Sequence, residues 1–125
     1  MPESASWVEL VGDVIVARLR GNASEELLRK VQEEVLRLAV ATGRWRVLLD
    51  VLEMNPPAVE LMSIQRKLDE DQRARRLRRA IVVPDSRHAY LARLAFGEGN
   101  YRVFYNDMVG AVKWLGSDLA SETAA

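Results

Sequence analysis

Two short apolar runs, each followed by an acidic residue, most constrain the fold of this chain. Residues 47–49 (VLL) precede Asp50, and residues 80–84 (AIVVP) precede Asp85. A segment with the apolar spacing of a helix follows each run. Strands that are buried on both faces of a parallel sheet read as such continuous hydrophobic runs. The pattern therefore predicts an α/β domain in which Asp50 and Asp85 lie side by side at one rim of the sheet. Ligands or partners are expected beyond the strands' carboxyl ends, in the loops after these two acids.

The rest of the chain extends this pattern to five strands and four helices. Two runs rich in β-branched residues, 7–11 and 14–19, flank a Gly-Asp pair that favours a tight hairpin turn. An amphipathic helix follows, with Asn22 as its predicted cap and Gly43 as its predicted stop. The predicted order is β-β-α-β-α-β-α-β-α, a mixed five-stranded sheet with packed helices in which the last three strands are parallel. The later strands are predicted at residues 45–51, 80–83 and 101–105, and the later helices begin after residues 57, 85 and 107.

The length and composition indicate a single domain. The 125 residues are 49% hydrophobic and 29% charged, an ordinary globular balance, and no linker or low-complexity segment interrupts them. We predict a flexible N-terminus at residues 1–6, one domain at residues 7–116 and a disordered tail at residues 117–125.

The composition also excludes several classes of function. Lys and Arg (18) balance Asp and Glu (18), so no long-range field draws the molecule towards nucleic acid or anionic lipid. The absence of cysteine excludes disulfides, thiolate catalysis and cysteine-bound metal, and one histidine removes most other metal sites. We therefore predict no cofactor and no metal. Because no signal-peptide pattern and no membrane-length apolar run is present, we expect a cytoplasmic protein without a membrane span.

Five arginines within residues 73–79 form the most uneven charge of the chain. They could contact nucleic-acid phosphates or an acidic protein, but no aromatic residue is interleaved with them. Asp69 can pair with Arg73, and Asp71 with Arg75, at one helical turn. The prediction is a solvated, self-neutralised helix end and no nucleic-acid binding, although the sequence leaves open whether this stretch is helix or loop.

A cluster of Asp85, Ser86 and His88 contains the residue types of a catalytic triad. These residues share one strand-to-helix turn, whereas a triad converges from separate segments, and no Gly-x-Ser-x-Gly elbow is present. We predict that Asp85 or Ser86 caps the third helix, that Asp50 and Asp85 serve structure, and that the chain is not an enzyme. A weaker hypothesis is an anion site at this helix start, formed by Asp85, Ser86 and Arg87.

The order of these elements resembles the STAS superfamily, and in particular its SpoIIAA-like branch. The resemblance spans about residues 7 to 115, and it rests on the opening hairpin, the Leu-Leu-Asp strand end at Asp50, the strand at 80–83, and the strand and helix at 101–115. It implies the mixed five-stranded fold predicted above and, from the family, a regulatory binding role in bacteria. The matching features are architectural and include no chemical motif, so they indicate the fold more directly than the activity.

The resemblance also directs attention to the loop after strand three. In the phosphorylated STAS regulators, which antagonise anti-sigma factors, a strand-end Asp precedes an Asp-Ser pair at the next helix start, and the Ser accepts phosphate from a partner kinase. Asp50 matches the strand-end acid. Ala58 and Val59 stand near the positions of the pair and carry no hydroxyl, and Ser63 comes about one turn too late.

We therefore predict a non-enzymatic STAS-like module that binds a regulatory protein and lacks the usual phosphoacceptor serine. Two adjacent prolines hold the loop after strand three extended and reduce the entropy lost on docking. The predicted partner-binding residues are Met54, Asn55, Pro57, Val59 and Met62.

Two further hypotheses stay open. The SpoIIAA-like branch is similar in shape to the CRAL-TRIO lipid-transfer domains, which implies a carrier of a lipid-like or other small apolar ligand, with Met54, Met62 and Met108 as flexible cavity lining. The opening hairpin also leaves an edge strand, and pairing with a second copy would give a homodimer.

Overall fold

The structure, a computed structural model, describes residues 4–124, with side chains described for residues 4–117. Within that range the strands and α-helices follow the predicted order, which confirms the fold class. The strands are β1 (Ala5–Val11), β2 (Val14–Gly21), β3 (Arg46–Met54), β4 (Arg78–Val83) and β5 (Tyr101–Tyr105). The α-helices are α1 (Glu25–Thr42), α2 (Val59–Leu68), α3 (Ser86–Phe96) and α4 (Met108–Ala124), and a short 3-10 helix, Ala74–Arg76, precedes β4.

The sheet follows the chain order, β1-β2-β3-β4-β5, with β1 antiparallel to β2 and the other neighbours parallel. Helices α1, α2 and α3 each connect two adjacent parallel strands, so right-handed crossovers place all three on one face. On this three-helix face α1 packs on β1 and β2, α2 lies between α1 and α3, and α3 packs on β4 and β5. On the opposite face, the α4 face, α4 packs against β3, β4 and β5.

The two faces hold cores of different size. Ile15, Ala17 and Leu19 of β2 join the larger core beneath α1, α2 and α3, and alternate residues of β3 and β4 join them. The smaller core holds Leu48, Ala80 and Val82 against α4. Because α4 covers only β3 to β5, the side chains of β1 and β2 on the α4 face keep much of their exposure.

Helix α1 shows how local chemistry sets the helix ends. Its cap is Ser24, whose hydroxyl oxygen accepts a hydrogen bond from the Leu27 N–H at 3.1 Å. The prediction of Asn22 as cap was wrong, because Asn22 lies two residues further from the helix and its side chain bonds to Asn55 instead. Gly43 ends the helix as predicted, since it adopts a φ of 71° and donates its N–H to the Ala39 carbonyl.

Several element ends differ from the sequence-based boundaries. Strand β1 begins two residues before Trp7, and β3 continues to Met54 because β2 pairs with it as far as that residue. Helix α4 continues past Leu115 to Ala124, into the predicted tail, since Gly116 and the small residues after it do not force a stop. Residues 1–3 and 125 lie outside the described residues, and the division into a domain with two flexible ends stays a prediction.

The arginine-rich stretch is a turn, a 3-10 helix and the start of β4 rather than an α-helix end. The predicted pairing therefore changes, because one-turn spacing does not apply to such a backbone. Asp71 pairs with Arg73 at 2.7 Å, and Asp69 pairs with Arg79 through two contacts of 2.9 and 3.1 Å. Two further arginines stack on rings: the guanidinium carbon of Arg76 lies 3.9 Å from the Trp45 ring centroid, and that of Arg78 lies 3.5 Å from the Trp114 centroid.

The Asp69–Arg79 pair is buried, with 13% and 6% of the respective side chains exposed. Burial raises the pKa of Asp69, although the Arg79 charge and hydrogen bonds from Gln65 and Gln32 act in the opposite direction. Burial likewise lowers the pKa of Arg79. Desolvation thus offsets much of the attraction between the two charges, and the pair fixes geometry more than it adds stability.

Candidate functional site

The loop after β3 is tied to the end of β2. The Asn55 N–H donates to the Gly21 carbonyl at 2.9 Å, and the Asn55 side-chain amide donates to the Asn22 side-chain oxygen at 2.8 Å. The prolines that follow restrict the backbone to extended conformations, and Ala58 keeps that conformation at the cap position of α2. The loop therefore presents a defined surface at the carboxyl end of the sheet.

The start of α2 carries no side-chain cap. Ala58 cannot accept a hydrogen bond through its side chain, and its carbonyl accepts only the turn bond from the Leu61 N–H. Val59, the first helical residue, is 56% exposed. Ser63 is exposed in the next turn of the helix, as the spacing predicted.

The structure divides the five predicted partner-binding residues into two groups. Asn55 and Val59 lie on the surface, where a partner can reach them. Met62 and Pro57 are buried and Met54 is half-buried, and the apolar side of α2 packs against α3 and α1. In this structure Pro57 and Met62 support the loop from beneath, so direct contact with a partner is expected of Asn55 and Val59.

An apolar cavity of about 80 Å³ lies directly under this loop, between the three-helix face of the sheet and the three helices. Met54, Pro57 and Met62 line it, together with core residues of β2 to β4 and of α1 to α3. Its polar lining residues are Gln32, Gln65 and His88, all buried. Met108, the third methionine expected to line a cavity, packs instead on the α4 face.

His88 fastens α3 to the end of β3. Its Nε2 lies 2.7 Å from the Met54 carbonyl oxygen, and its Nδ1 lies 2.7 Å from Asp85 Oδ1, which also accepts the His88 N–H at 2.9 Å. The Met54 carbonyl can only accept, so Nε2 donates to it. Both ring contacts are hydrogen bonds at once when the ring carries two protons and the Asp85 carboxylate is ionised. We call this arrangement the His88 tie.

Asp85 caps α3 through the same carboxylate, as the sequence predicted. Hydrogen bonds from the His88 backbone N–H, and then from the His88 ring, hold the pKa of Asp85 below its usual value. Ser86 and Arg87 are exposed beside it. Because the Asp85 carboxylate already occupies donors of this helix start and carries negative charge, it competes with the anion that the sequence hypothesis placed there.

Asp50 lies elsewhere. The sequence placed it at the end of strand three beside Asp85, whereas β3 continues four residues beyond it and Asp50 pairs in register with Val82. Its side chain is buried on the α4 face, where it accepts hydrogen bonds from Arg18 Nε and the Leu52 N–H, each at 3.1 Å. The expectation that the two acids share one rim was therefore wrong. The expectation failed because β3 pairs with β2 as far as Met54 and so extends beyond the apolar run of β3.

The structure offers neither a metal cluster nor a membrane-spanning helix within the residues that it describes. Among residues whose side chains are described, no three His, Cys, Asp or Glu groups come together to hold a metal ion. None of the helices within residues 4–124 is long and apolar enough to cross a membrane.

The fold of this chain is similar to that of several known structures. The chain is similar to a protein of the DUF3478 family with a SpoIIAA-like fold from Shewanella loihica PV-4, at 22% sequence identity and a TM-score of 0.64. The alignment covers 92% of this chain and 95% of that one. This chain has the SpoIIAA-like fold. The predicted resemblance is thereby confirmed at the level of architecture.

Two anti-sigma factor antagonists are also similar to this SpoIIAA-like chain. The first, from Mycobacterium paratuberculosis, has 13% identity and a TM-score of 0.63, over 91% of this chain and 95% of that one. The second is SpoIIAA in its unphosphorylated form, with 10% identity and a TM-score of 0.64, over 90% and 97%. No protein-family model and no curated protein sequence matches the chain.

Sequence reasoning missed the His88 tie and the Asn22–Asn55 bond. The spacing of Asp85 and His88 at a strand-to-helix turn signals the local half of the tie, since a cap accepts from the residue three positions later. Its other half, the Met54 carbonyl, is 34 residues away and has no sequence signal.

Proposed function

We propose that this SpoIIAA-like chain is a non-enzymatic binding module that captures a regulatory protein on the surface around Asn55 and Val59. One observation carries the proposal. An exposed apolar side chain, Val59, and an exposed amide, Asn55, stand on a loop whose backbone is fixed by proline and by bonds to β2. Such a preformed surface loses little conformational entropy when a partner docks.

The fold and the chemistry of the loop support a protein as the partner. Two of the similar structures are anti-sigma factor antagonists, so a protein of the anti-sigma-factor type is the partner class that we propose, in the bacterial cytoplasm. Val59 gives the surface an apolar centre, and the exposed Glu60 next to it in the helix adds a charged edge. Apolar centres with polar rims are typical of protein interfaces.

We further propose that phosphorylation at the helix start does not control this binding. Ala58 and Val59 offer no hydroxyl there, and Ser63 lies in the second turn, beyond the first-turn N–H groups that stabilise a phosphate. The partner would then bind whenever it is present, and control would lie in its concentration.

A double variant tests the proposed surface. Asn55→Asp with Val59→Asp adds two charges to the surface, and both side chains are exposed. The Asn22 amide can turn and donate to the new carboxylate at position 55, which keeps the loop tied to β2. We therefore expect capture of the partner in a pull-down to fall at least tenfold while the melting temperature is nearly unchanged. The matched control is Val40→Asp on α1, because Val40 is 59% exposed, close to the 56% of Val59. Undiminished capture by the double variant would show that the partner binds elsewhere.

The cavity supports a second candidate function, a carrier of a small apolar molecule. At about 80 Å³ the cavity is smaller than the ~150 Å³ that accommodates benzene in an engineered protein, so a lipid-like ligand would require α2 or α3 to move outward. Ala95 lines the cavity and is 2% exposed, which makes Ala95→Leu a filling variant. Native mass spectrometry of freshly purified protein should then show a bound mass that this variant lacks. A wild-type mass equal to the chain alone would end the carrier hypothesis.

A further inference from the structure

The outer edge of β1 is open. β1 pairs with β2 only, and in residues 4–124 no other strand lies beside it. The hairpin turn has two central residues, and Gly12 adopts the positive φ of 61° that such turns favour. In a hairpin of this length the closing pair, Val11 and Val14, exchanges both hydrogen bonds, and bonded pairs then alternate along the strand. The backbone N–H and C=O groups of Ser6, Val8 and Leu10 therefore point away from the sheet.

This edge lacks most of the features that keep edge strands apart. Proteins protect edges with proline, lysine, bulges or very short strands. Ala5–Val11 contains no proline or lysine, runs for seven residues in regular register with β2, and carries a single charge, Glu9. Trp7, Leu10 and Val11 are 49%, 38% and 53% exposed, so apolar side chains flank the open backbone. The opposite edge, β5, has five residues and carries Arg102.

The sequence of β1 is complementary to itself in one register. When two β1 strands run antiparallel with Val8 on the twofold axis, Ser6 faces Leu10 of the second copy and Val8 faces Val8. All three outward-pointing residues of each strand then exchange hydrogen bonds, about six in total. The same register places Trp7 opposite Glu9 of the second copy. No two like charges are directly opposite, and the two Glu9 residues are diagonal neighbours about 7–8 Å apart.

The charges around this register are also complementary. Trp7 pairs with Arg18 of β2, and the Arg20 guanidinium lies 6.0 Å from the Trp7 ring centroid. Glu9 of the second copy would lie on the other side of that ring, so the one acidic side chain of each β1 meets the basic side of its partner. An unrelated strand would satisfy the backbone equally well, but this charge arrangement favours a second copy of the chain.

We propose that two copies of this chain join through β1, antiparallel across a twofold axis at Val8, to form one continuous ten-stranded sheet. The proposal is independent of the proposed partner surface, which lies beyond β3. The twofold axis reverses the direction of the parallel strands from one copy to the other. The two loops that carry Asn55 consequently lie at opposite ends of the joined sheet, and the dimer presents two separated partner surfaces.

A distance measurement tests both the dimer and its register. The chain has no cysteine, so Val11→Cys gives a single site for a nitroxide spin label on an exposed residue. Val11 lies three residues from the axis on each strand, which predicts a separation of about 20 Å between the two α-carbons. The control is Tyr105→Cys on β5, which is 49% exposed. Nine strand spacings separate the two copies of β5, which predicts about 40 Å between their labelled positions. Absence of a dipolar signal at Val11 would overturn the proposal. So would a separation that differs from the predicted value by about 7 Å or more, which is roughly the effect of moving the axis by one residue.

Sedimentation equilibrium adds a test by substitution. Leu10→Pro removes an outward-pointing N–H and leaves the β1–β2 hydrogen bonds in place, so we expect a folded monomer, whereas Leu10→Thr keeps the N–H and should remain a dimer. If the proline variant fails to fold, Glu9→Arg serves instead, because it places an arginine beside Arg18 and Arg20 of the second copy. We expect it to weaken dimerisation at least tenfold, and Arg20→Glu in the same chain to restore it. A wild-type chain that stays monomeric at millimolar concentration would contradict the proposal.

Discussion

The two ends of the parallel strands are held together by different chemistry. At the amino ends, the contacts involve charged groups: Asp69 and Arg79 form a buried pair, and Arg76 and Arg78 stack on tryptophan rings. At the carboxyl ends, side chains bond to backbone carbonyls, as His88 does to Met54. The most charged stretch of the sequence thus stabilises the framework, at the end of the strands opposite the proposed partner surface.

The largest loss in the free energy of unfolding is expected from a substitution at the amino ends. Asp69→Ala leaves the Arg79 guanidinium buried without its partner, and such a change costs about 3–5 kcal/mol in the free energy of unfolding. Replacing both residues, Asp69→Leu with Arg79→Met, removes both charges and should cost far less. Urea unfolding of the wild type and the two variants measures the difference. A loss below about 1 kcal/mol for Asp69→Ala would mean that this pair does not hold the amino ends together.

A substitution at the carboxyl ends should cause a smaller loss in the free energy of unfolding. His88→Ala removes the His88 tie and leaves the Met54 carbonyl without its donor, which should lower the free energy of unfolding by about 1–3 kcal/mol. Tyr90→Ala on the same helix is the control, since Tyr90 is 58% exposed and should change stability by less than about 0.5 kcal/mol. Equal losses in the two variants would remove the special role given to His88.

The acid dependence of stability gives a further comparison. The pKa of Asp85 is lower in the folded protein than the value near 3.8 of the unfolded chain. Ionised Asp85 therefore contributes to the free energy of unfolding above pH 3.8, and this contribution is lost as the pH falls through the folded-state pKa. Asp85→Asn keeps the cap but cannot titrate, so we expect a smaller loss of stability than wild type below about pH 4. Asp71, whose pKa the Arg73 side chain lowers, should behave likewise in Asp71→Asn. Unfolding curves at several pH values measure both, and unchanged acid sensitivity in Asp85→Asn would contradict this assignment.

The smallest effect is expected for a single stacked arginine. Arg76→Gln removes the cation over the Trp45 ring and should lower the free energy of unfolding by about 0.5–1 kcal/mol. Arg75→Gln is the matched control, because Arg75 is exposed two residues from Arg73 in the same stretch and stacks on no ring in the structure from residue 4 to 117. A larger loss in the control would show that the ring contact is not what stabilises this end.

The sequence predicts the sheet because each strand has a local signature: a run of apolar residues, a hairpin pair or a turn. The same is true of Gly43 as a stop and Asp85 as a cap, since each acts within a few residues. The pairing of Asp69 with Arg79 was missed because one-turn spacing presupposes a helix, and the chain turns there instead.

The candidate site was predictable only in part. The loop after β3 and the missing hydroxyls near Ala58 follow directly from the sequence. Which of its residues are exposed does not, because the burial of Met62 depends on how α2 packs against α3. The His88 tie and the place of Asp50 on the α4 face likewise depend on partners more than thirty residues away.

We propose that a protein partner contacts the exposed residues at the carboxyl ends of the strands. A photoreactive benzoylphenylalanine at position 59, compared with the same residue at position 40, detects this contact in cells that contain the natural partner. We expect a covalent adduct with one protein from Val59→benzoylphenylalanine, absent when Asn55→Asp is added, and none from Val40→benzoylphenylalanine. Adducts of equal yield from both positions, or from position 40 alone, would contradict the account.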